Sequence, residues 1–114
     1  MYYNNLFQRF CKERNIKDST MKGYHSTLKK YEDFHKKSLN ELIKEAINDE
    51  EERIPLKERK IKKRLIDYRT YLLDSDMSPN TSKTYFSKLK TFYLHFEIEL
   101  PHLPEAKYNK IFQY

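Results

Sequence analysis

The sequence predicts an all-α protein, a compact bundle of about five helices. The chain has 114 residues, among which are only one glycine and four prolines, so it offers few places for tight turns. Apolar side chains recur at spacings of three and four residues, the period of an amphipathic helix. No segment of useful length alternates apolar and polar residues, so no strand is predicted.

The first two helices are predicted in the N-terminal third of the chain. Residues 2–14 carry one apolar stripe at helical spacing, formed by Tyr3, Leu6, Phe7, Phe10 and Cys11. Asp18 or Ser19 opens the second helix, because either side chain can accept a hydrogen bond from an unpaired backbone N–H at a helix start. This helix is predicted to end near His35.

The third and fourth helices are predicted from their start signals. Ser38 and Glu41 form a capping box, which opens the third helix. The acidic run 49–52 is interpreted as a solvated turn that ends this helix. Pro55 fits the first turn of a fourth helix that runs to about Asp74. The apolar stripe of the fourth helix comprises Ile61, Leu65, Tyr68 and Leu72.

The fifth helix begins with a strong local signal. Ser78 supplies the cap, Pro79 occupies the first helical position, and the helix is predicted to end near Phe96. Residues 1–104 are therefore assigned to one helical domain. Residues 105–114 are interpreted as a linker or the start of a missing C-terminal domain.

Charge and composition narrow the function. The formal net charge is +6 and the isoelectric point is near 9.3, which favours an anionic partner, nucleic acid rather than membrane. No apolar run approaches the roughly 18 residues that a membrane span needs. The single cysteine, Cys11, predicts no disulfide and a reducing, cytoplasmic location.

Several classes of catalytic or ligand site are not expected. The four histidines do not have the spacing of metal ligands, and with Gly23 as the only glycine a glycine-rich phosphate loop cannot form. Tyr24 and Tyr85 lie on apolar stripes, so both are interpreted as packed rings rather than nucleophiles. We therefore expect no cofactor, no metal and no small-molecule substrate.

A ten-residue segment occurs twice, at residues 20–29 and again at 81–90. Six of the ten positions are identical: Thr, Lys, Tyr, Ser, Leu and Lys. In each copy the apolar residues fall at helical spacing, as Tyr24, Leu28 and Tyr31 and as Tyr85, Leu89 and Phe92. The predicted core accordingly comprises Tyr24, Leu28, Leu65, Leu72, Tyr85, Leu89 and Phe92.

Each copy of the repeat also has a polar, basic face. Neither residues 19–31 nor residues 77–96 contain an acid, although the chain has 17. A solvated helix face normally mixes charges of both signs, so this exclusion indicates a negatively charged partner. Lysine, serine and threonine are residue types that contact phosphates and base edges, and a helix fits the major groove.

The sequence therefore predicts binding to double-stranded DNA through both repeats, with the two polar faces on the same side. The predicted DNA-binding residues of the first copy are Lys22, His25, Ser26, Lys29 and Lys30. Those of the second copy are Thr81, Lys83, Thr84, Ser87, Lys88, Lys90 and Thr91. The basic run 57–64 is interpreted as the solvated side of the fourth helix, with a supporting role at phosphates left open.

The paired Thr-x-x-x-Tyr helices resemble those of one known family. The second helix is introduced by Ser-Pro-Asn-Thr at residues 78–81 and continues to Tyr85, and Ile-Pro-Leu at 54–56 precedes a basic stretch. Together with Leu-Pro-His-Leu-Pro at 100–104, these features are similar to the N-terminal core-binding, SAM-like domain of tyrosine recombinases, the phage integrase family, in its archaeal type. The resemblance covers about residues 5–104.

The resemblance implies a small helical bundle that forms half of a clamp around recombination-site DNA, with other recombinase protomers on the same DNA as further partners. In that family the chemistry belongs to a C-terminal domain with a His-x-x-Arg motif and a tyrosine nucleophile. No histidine of this chain is followed by arginine three places on, so the chain itself is not expected to be an enzyme. The alternative function is a helical protein-interaction module that binds an acidic partner.

Overall fold

The structure, a computed structural model, describes residues 2–104, with side chains from Leu6 onwards. The predicted all-α architecture is confirmed for this part of the chain. The five helices are α1 (Tyr2–Glu13), α2 (Asp18–His35), α3 (Leu39–Glu51), α4 (Lys60–Asp74) and α5 (Pro79–His95). A 3₁₀ turn at Leu56–Glu58 precedes α4. The predicted linker, residues 105–114, lies outside the described residues.

The predicted helix starts of α3 and α5 are confirmed by their hydrogen bonds. Ser38 Oγ accepts from the Glu41 backbone N–H at 3.1 Å, and the Ser38 N–H donates to Glu41 Oε1 at 2.9 Å. This reciprocal pair is the predicted capping box. Ser78 Oγ accepts from the Thr81 N–H at 3.2 Å, with Pro79 as the first helical residue.

Two predictions around the start of α4 are wrong. Pro55 does not lie in the first turn of α4; it precedes the 3₁₀ turn, and the extended Arg59 is the residue before α4. Asp49 does not lie in a solvated turn, because α3 continues to Glu51 and the Asp49 side chain is fully buried. Its carboxylate accepts the Lys60 backbone N–H at 2.8 Å, and so satisfies one of the unpaired donors at the start of α4.

All five helices contribute side chains to the core, and α3 packs against α1 and α4. Five predicted core residues are confirmed, each at most 1% exposed: Leu28, Leu65, Leu72, Leu89 and Phe92. Tyr24 and Tyr85 are only half-buried, so they do not belong to the buried core, but both rings pack against it as predicted. They line its edge, where a phenol hydroxyl can reach water.

Among the residues with described side chains, the fully buried tyrosines are Tyr31, Tyr68 and Tyr93. The hydroxyls of Tyr31 and Tyr93 are 2.7 Å apart and hydrogen bond to each other, which offsets the cost of burying both. Burial raises the pKa of Tyr31 and of Tyr93, because a phenolate would be poorly solvated there. This pair joins α2 to α5 at the centre of the molecule.

Helices α2 and α5 also approach closely at Gly23. A Cβ atom at this position would lie 3.1 Å from Cε of Lys88, so the absence of a side chain lets Lys88 lie over α2. Phe10 of α1 packs edge-on against Tyr24 and Phe92, with ring centroids 4.9 and 5.1 Å apart. None of the described helices combines the length and the apolar character that crossing a membrane requires.

Candidate nucleic-acid interface

Helix α5 presents a polar surface without a single carboxylate. No Asp or Glu occurs between Pro79 and His95. Thr81, Lys83, Thr84 and Ser87 are exposed, whereas Lys88, Lys90 and Thr91 are half-buried. All seven predicted residues of the second repeat are therefore accessible. We call this surface, Thr81 to Thr91 on the solvent side of α5, the α5 basic face.

A shallow groove of about 270 Å³ runs between α2 and α5 along this face. It brings Tyr24 of the first repeat together with residues of the second, namely Lys83, Thr84, Ser87, Lys88 and Thr91. Nζ of Lys88 lies 5.3 Å from the centre of the Tyr24 ring, a cation–π contact that holds the ammonium at the groove. The sequence predicted both repeats but not that Tyr24 would be the residue joining them.

Two threonine hydroxyls of the α5 basic face bind the helix backbone. Oγ1 of Thr84 donates to the Asn80 carbonyl, and Oγ1 of Thr91 donates to the Ser87 carbonyl, both at 3.0 Å. Thr81 differs, because its Oγ1 accepts from the Ser78 hydroxyl at 2.9 Å. The hydroxyls of this face are thus not equivalent hydrogen-bond donors.

The first repeat contributes differently. Lys22, His25 and Ser26 are exposed, but none of them lines the α2–α5 groove. The His25 ring packs edge-on against Phe7 of α1, with centroids 5.7 Å apart. The prediction that Lys22, Ser26 and Lys29 share one side of the molecule with the α5 basic face therefore stays a prediction.

The lack of acid in the first repeat does not extend to the whole of α2. The helix continues to Asp33, whose carboxylate lies 3.2 Å from Nζ of Lys29. Nζ of Lys30 lies 5.4 Å from the centre of the Tyr71 ring on α4. Lys29 is therefore paired with a carboxylate, whereas Lys30 makes a ring contact of the same kind as Lys88 and Lys90 of α5.

A second, larger groove lies on the other side of α5, between α4 and the segment 100–104. Its volume is about 630 Å³. Lys83, Ser87 and Lys90 line it together with Arg69 and His102, which the sequence analysis did not identify. No sequence signal links Arg69 to this site, because the fold brings it there from α4. Apolar residues also line this groove: Leu72, Leu73, Phe86, Leu100, Pro101, Leu103 and Pro104.

The basic run 57–64 is largely neutralised by carboxylates. Arg64 makes a bidentate contact with Glu45 of α3, at 2.7 and 2.9 Å. Lys60 lies 3.2 Å from the buried Asp49, and Lys63 lies 3.1 Å from Asp67. The interpretation of this run as a solvated helix side holds for Lys63, whereas the side chain of Arg64 is only 22% exposed and joins α4 to α3.

By contrast, no lysine of α5 takes part in an ion pair among residues 6–104. Lys90 lies over the Phe86 ring at 5.4 Å, a contact that leaves the positive charge uncompensated. The positive charge of the α5 basic face is therefore not neutralised by described carboxylates, whereas most of that on α4 is. In the same part of the chain, no three His, Cys, Asp or Glu side chains come together as a metal site.

Comparisons with protein-family models, with curated proteins and with solved structures give no match for this chain.

Proposed function

We propose that this domain binds double-stranded DNA through the α5 basic face, with the exposed lysines of α2 making additional phosphate contacts. The observation that carries the proposal is that the lysines of α5 form no ion pair with a described carboxylate, whereas Lys60, Lys63 and Arg64 of α4 are each paired with one. Unpaired lysines on one helix face are the surface that a polyanion neutralises.

The proposed binding mode follows from the size and chemistry of α5. A helix with its side chains is about 10–12 Å across and the major groove is about 12 Å wide, so α5 can lie in it. Lys83, Lys88 and Lys90 would then contact phosphates on either side of the groove. Lys22 would extend the contacts along the duplex, because the side chain is exposed and forms no ion pair with a described carboxylate.

Within this proposal, the resemblance to the core-binding domain of tyrosine recombinases indicates which DNA would be bound. The proposed role is to hold recombination-site DNA as half of a clamp, beside other protomers on the same DNA. Strand cleavage is assigned to a separate catalytic domain, and no reaction is assigned to these residues. The all-helical fold and the exposed α5 basic face are what such a role requires.

A second candidate function is supported by the larger groove beside α5. Its apolar lining and its cationic residues Arg69, Lys83 and Lys90 suit a peptide that carries both acidic and apolar side chains. Lys83 and Lys90 belong to both candidate sites. Binding of plain duplex DNA distinguishes the two functions, because a peptide-binding module has no need of it.

The test is a titration of random-sequence duplex DNA at several salt concentrations. If about four phosphates are neutralised, the slope of log affinity against log salt is about −3.6. The double variant Lys83→Ala/Lys88→Ala is expected to make that slope shallower by about 2, because two phosphates would no longer be neutralised. A binding constant that does not change with salt contradicts the proposal.

A matched control removes the same charge from the other basic region. Lys57 and Lys63 are both exposed, and the side chain of Lys63 is 82% exposed. The double variant Lys57→Ala/Lys63→Ala is expected to change the slope by less than half as much. Equal changes in slope would mean that net charge, and not the α5 basic face, carries the binding.

A further inference from the structure

Thr84 and Thr91 lie on the groove side of the α5 basic face, where a bound duplex would meet them. Each hydroxyl hydrogen is donated to the helix's own backbone, to the carbonyls of Asn80 and Ser87. What each threonine offers to an outside partner is therefore the lone pairs of Oγ1 and the Cγ2 methyl group. Both residues present an acceptor beside an apolar group.

This chemistry does not suit a phosphate. Phosphate oxygens accept hydrogen bonds, so a phosphate could use Thr84 or Thr91 only if the hydroxyl left its backbone carbonyl. The neighbouring Lys83 and Lys88 already provide donors for phosphates. A partner that donates a hydrogen bond and carries an apolar group fits the two threonines better.

An A·T base pair has both features at its major-groove edge. Adenine presents its N6 amino group as a donor, and thymine presents its C5 methyl group. A G·C pair offers the cytosine amino group but no methyl group, so it matches only half of what each threonine presents. Resting on the proposed DNA-binding function, we infer that Thr84 and Thr91 read A·T base pairs.

The spacing of the two residues predicts where those base pairs lie. Seven residues of helix extend about 10.5 Å at 1.5 Å per residue. Successive base pairs are about 3.4 Å apart, so the same length spans about three base-pair steps. Helix α5 would therefore select A·T pairs at two positions about three base pairs apart.

The first test is selection of preferred sequences from a pool of random duplexes by the full chain. The expected result is enrichment of A·T at two positions about three base pairs apart. Salt-dependent binding without such enrichment, or with G·C at these positions, overturns this inference and leaves the proposed function standing. Failure to bind any duplex overturns both.

The second test removes single chemical groups from the selected duplex. Deoxyuridine in place of thymidine removes only the methyl group, and unsubstituted purine in place of adenine removes only the amino group. Each change at a position read by a threonine is expected to weaken binding about fivefold, the lower end for a disrupted base contact. The same changes outside the two positions should have no effect.

Matched variants identify the residue that reads each group. Thr84→Val keeps the branched shape and removes Oγ1, so its binding should no longer respond to loss of the adenine amino group. Thr84→Ser keeps the hydroxyl and removes the methyl group, so its binding should no longer respond to deoxyuridine. Thr91→Val and Thr91→Ser should act in the same way three base pairs away. If a threonine contacts a base group, removing that group should no longer weaken binding once the threonine is replaced. The inference is therefore overturned if all four variants respond to the altered bases as the original protein does.

Discussion

Helices α4 and α5 are both rich in lysine, but of the two only α4 has lysines paired with described carboxylates. On α4 and the turn before it, Arg59, Lys60, Lys63 and Arg64 each contact a carboxylate. On α5 no described carboxylate is within ion-pair distance of any lysine. The two helices also pack against each other, so the difference arises within one small domain.

The difference indicates that lysine content alone is a poor guide to a binding surface. The run 57–64 is the most basic stretch of the sequence, yet α3 supplies Glu45 and Asp49 to neutralise it. Lys60 and Arg64 therefore help to hold α3 against α4. The lysines of α5 form no ion pair with a described carboxylate, so their charges are available for the proposed contact with DNA.

The largest expected effect on stability comes from truncating a buried leucine, and α4 and α5 each have one. Leu65 and Leu89 are both fully buried. Replacing either with alanine is expected to lower the free energy of unfolding by about 2–5 kcal/mol, because apolar burial is reduced and a cavity remains. Chemical denaturation measures this decrease. Leu94→Ala is the control on α5, because Leu94 is 55% exposed and its truncation should cost little.

The next effect tests the structural task of the charges around α4. Asp49→Ala removes the carboxylate that accepts from the Lys60 backbone N–H and contacts its ammonium. We expect a decrease of about 1.5–3 kcal/mol in the free energy of unfolding, the range for hydrogen bonds to a charged group. Glu51→Ala, on the exposed side of the same helix, is the control. An equal decrease in both variants would contradict a special role for Asp49.

A smaller effect should appear as pH is lowered, because His35 belongs to the α4 cluster. Its ring lies against Arg64, with Nε2 3.1 Å from the Arg64 carbonyl oxygen. Burial lowers the pKa of His35, so the folded protein disfavours the imidazolium. In the unfolded chain the pKa is about 6.5. Stability is therefore fully present above pH 6.5 and falls as the pH drops through that value towards the folded pKa.

Thermal unfolding between pH 7 and pH 5 measures this fall in stability. His35→Gln is expected to reduce it, because glutamine can still hydrogen bond to the carbonyl but does not titrate. His25→Gln, at an exposed position of the same helix, should leave the fall unchanged. An identical pH dependence in all three proteins would assign the effect to other groups.

The smallest effect on stability should come from giving α5 the kind of pair that α4 has. Ser87→Glu places a carboxylate four residues after Lys83, the arrangement of Lys63 and Asp67 on α4. The free energy of unfolding should rise by no more than about 0.5 kcal/mol. Affinity for duplex DNA should fall, because the added charge repels phosphates and engages Lys83. Ser87→Gln, which adds no charge, is the control, and equal binding by both variants would contradict the proposed role of this face.

Much of the fold could be predicted from local sequence signals. The spacing of Leu28, Leu65 and Leu89 is sufficient to place them in the core, because helical period fixes which side chains share a face. The starts of α3 and α5 follow from Ser38 and Ser78, whose hydroxyls act on backbone groups two or three residues away. These interactions are local, so no knowledge of tertiary packing is needed.

Interactions between distant residues were decided by the tertiary structure. The sequence alone indicated the presence and order of the five helices, though not every end, and it determined the repeat and the exclusion of acid from residues 77–96. It could not determine that Asp49 would be buried against Lys60 or that Tyr24 would meet Lys88, because these contacts depend on how α3 packs on α4 and α2 on α5. Ion pairs between residues that are distant in the sequence form only when folding brings those residues together. The packing therefore decided that basic residues of α4 are paired with carboxylates and that, within the described part of the chain, the lysines of α5 are not.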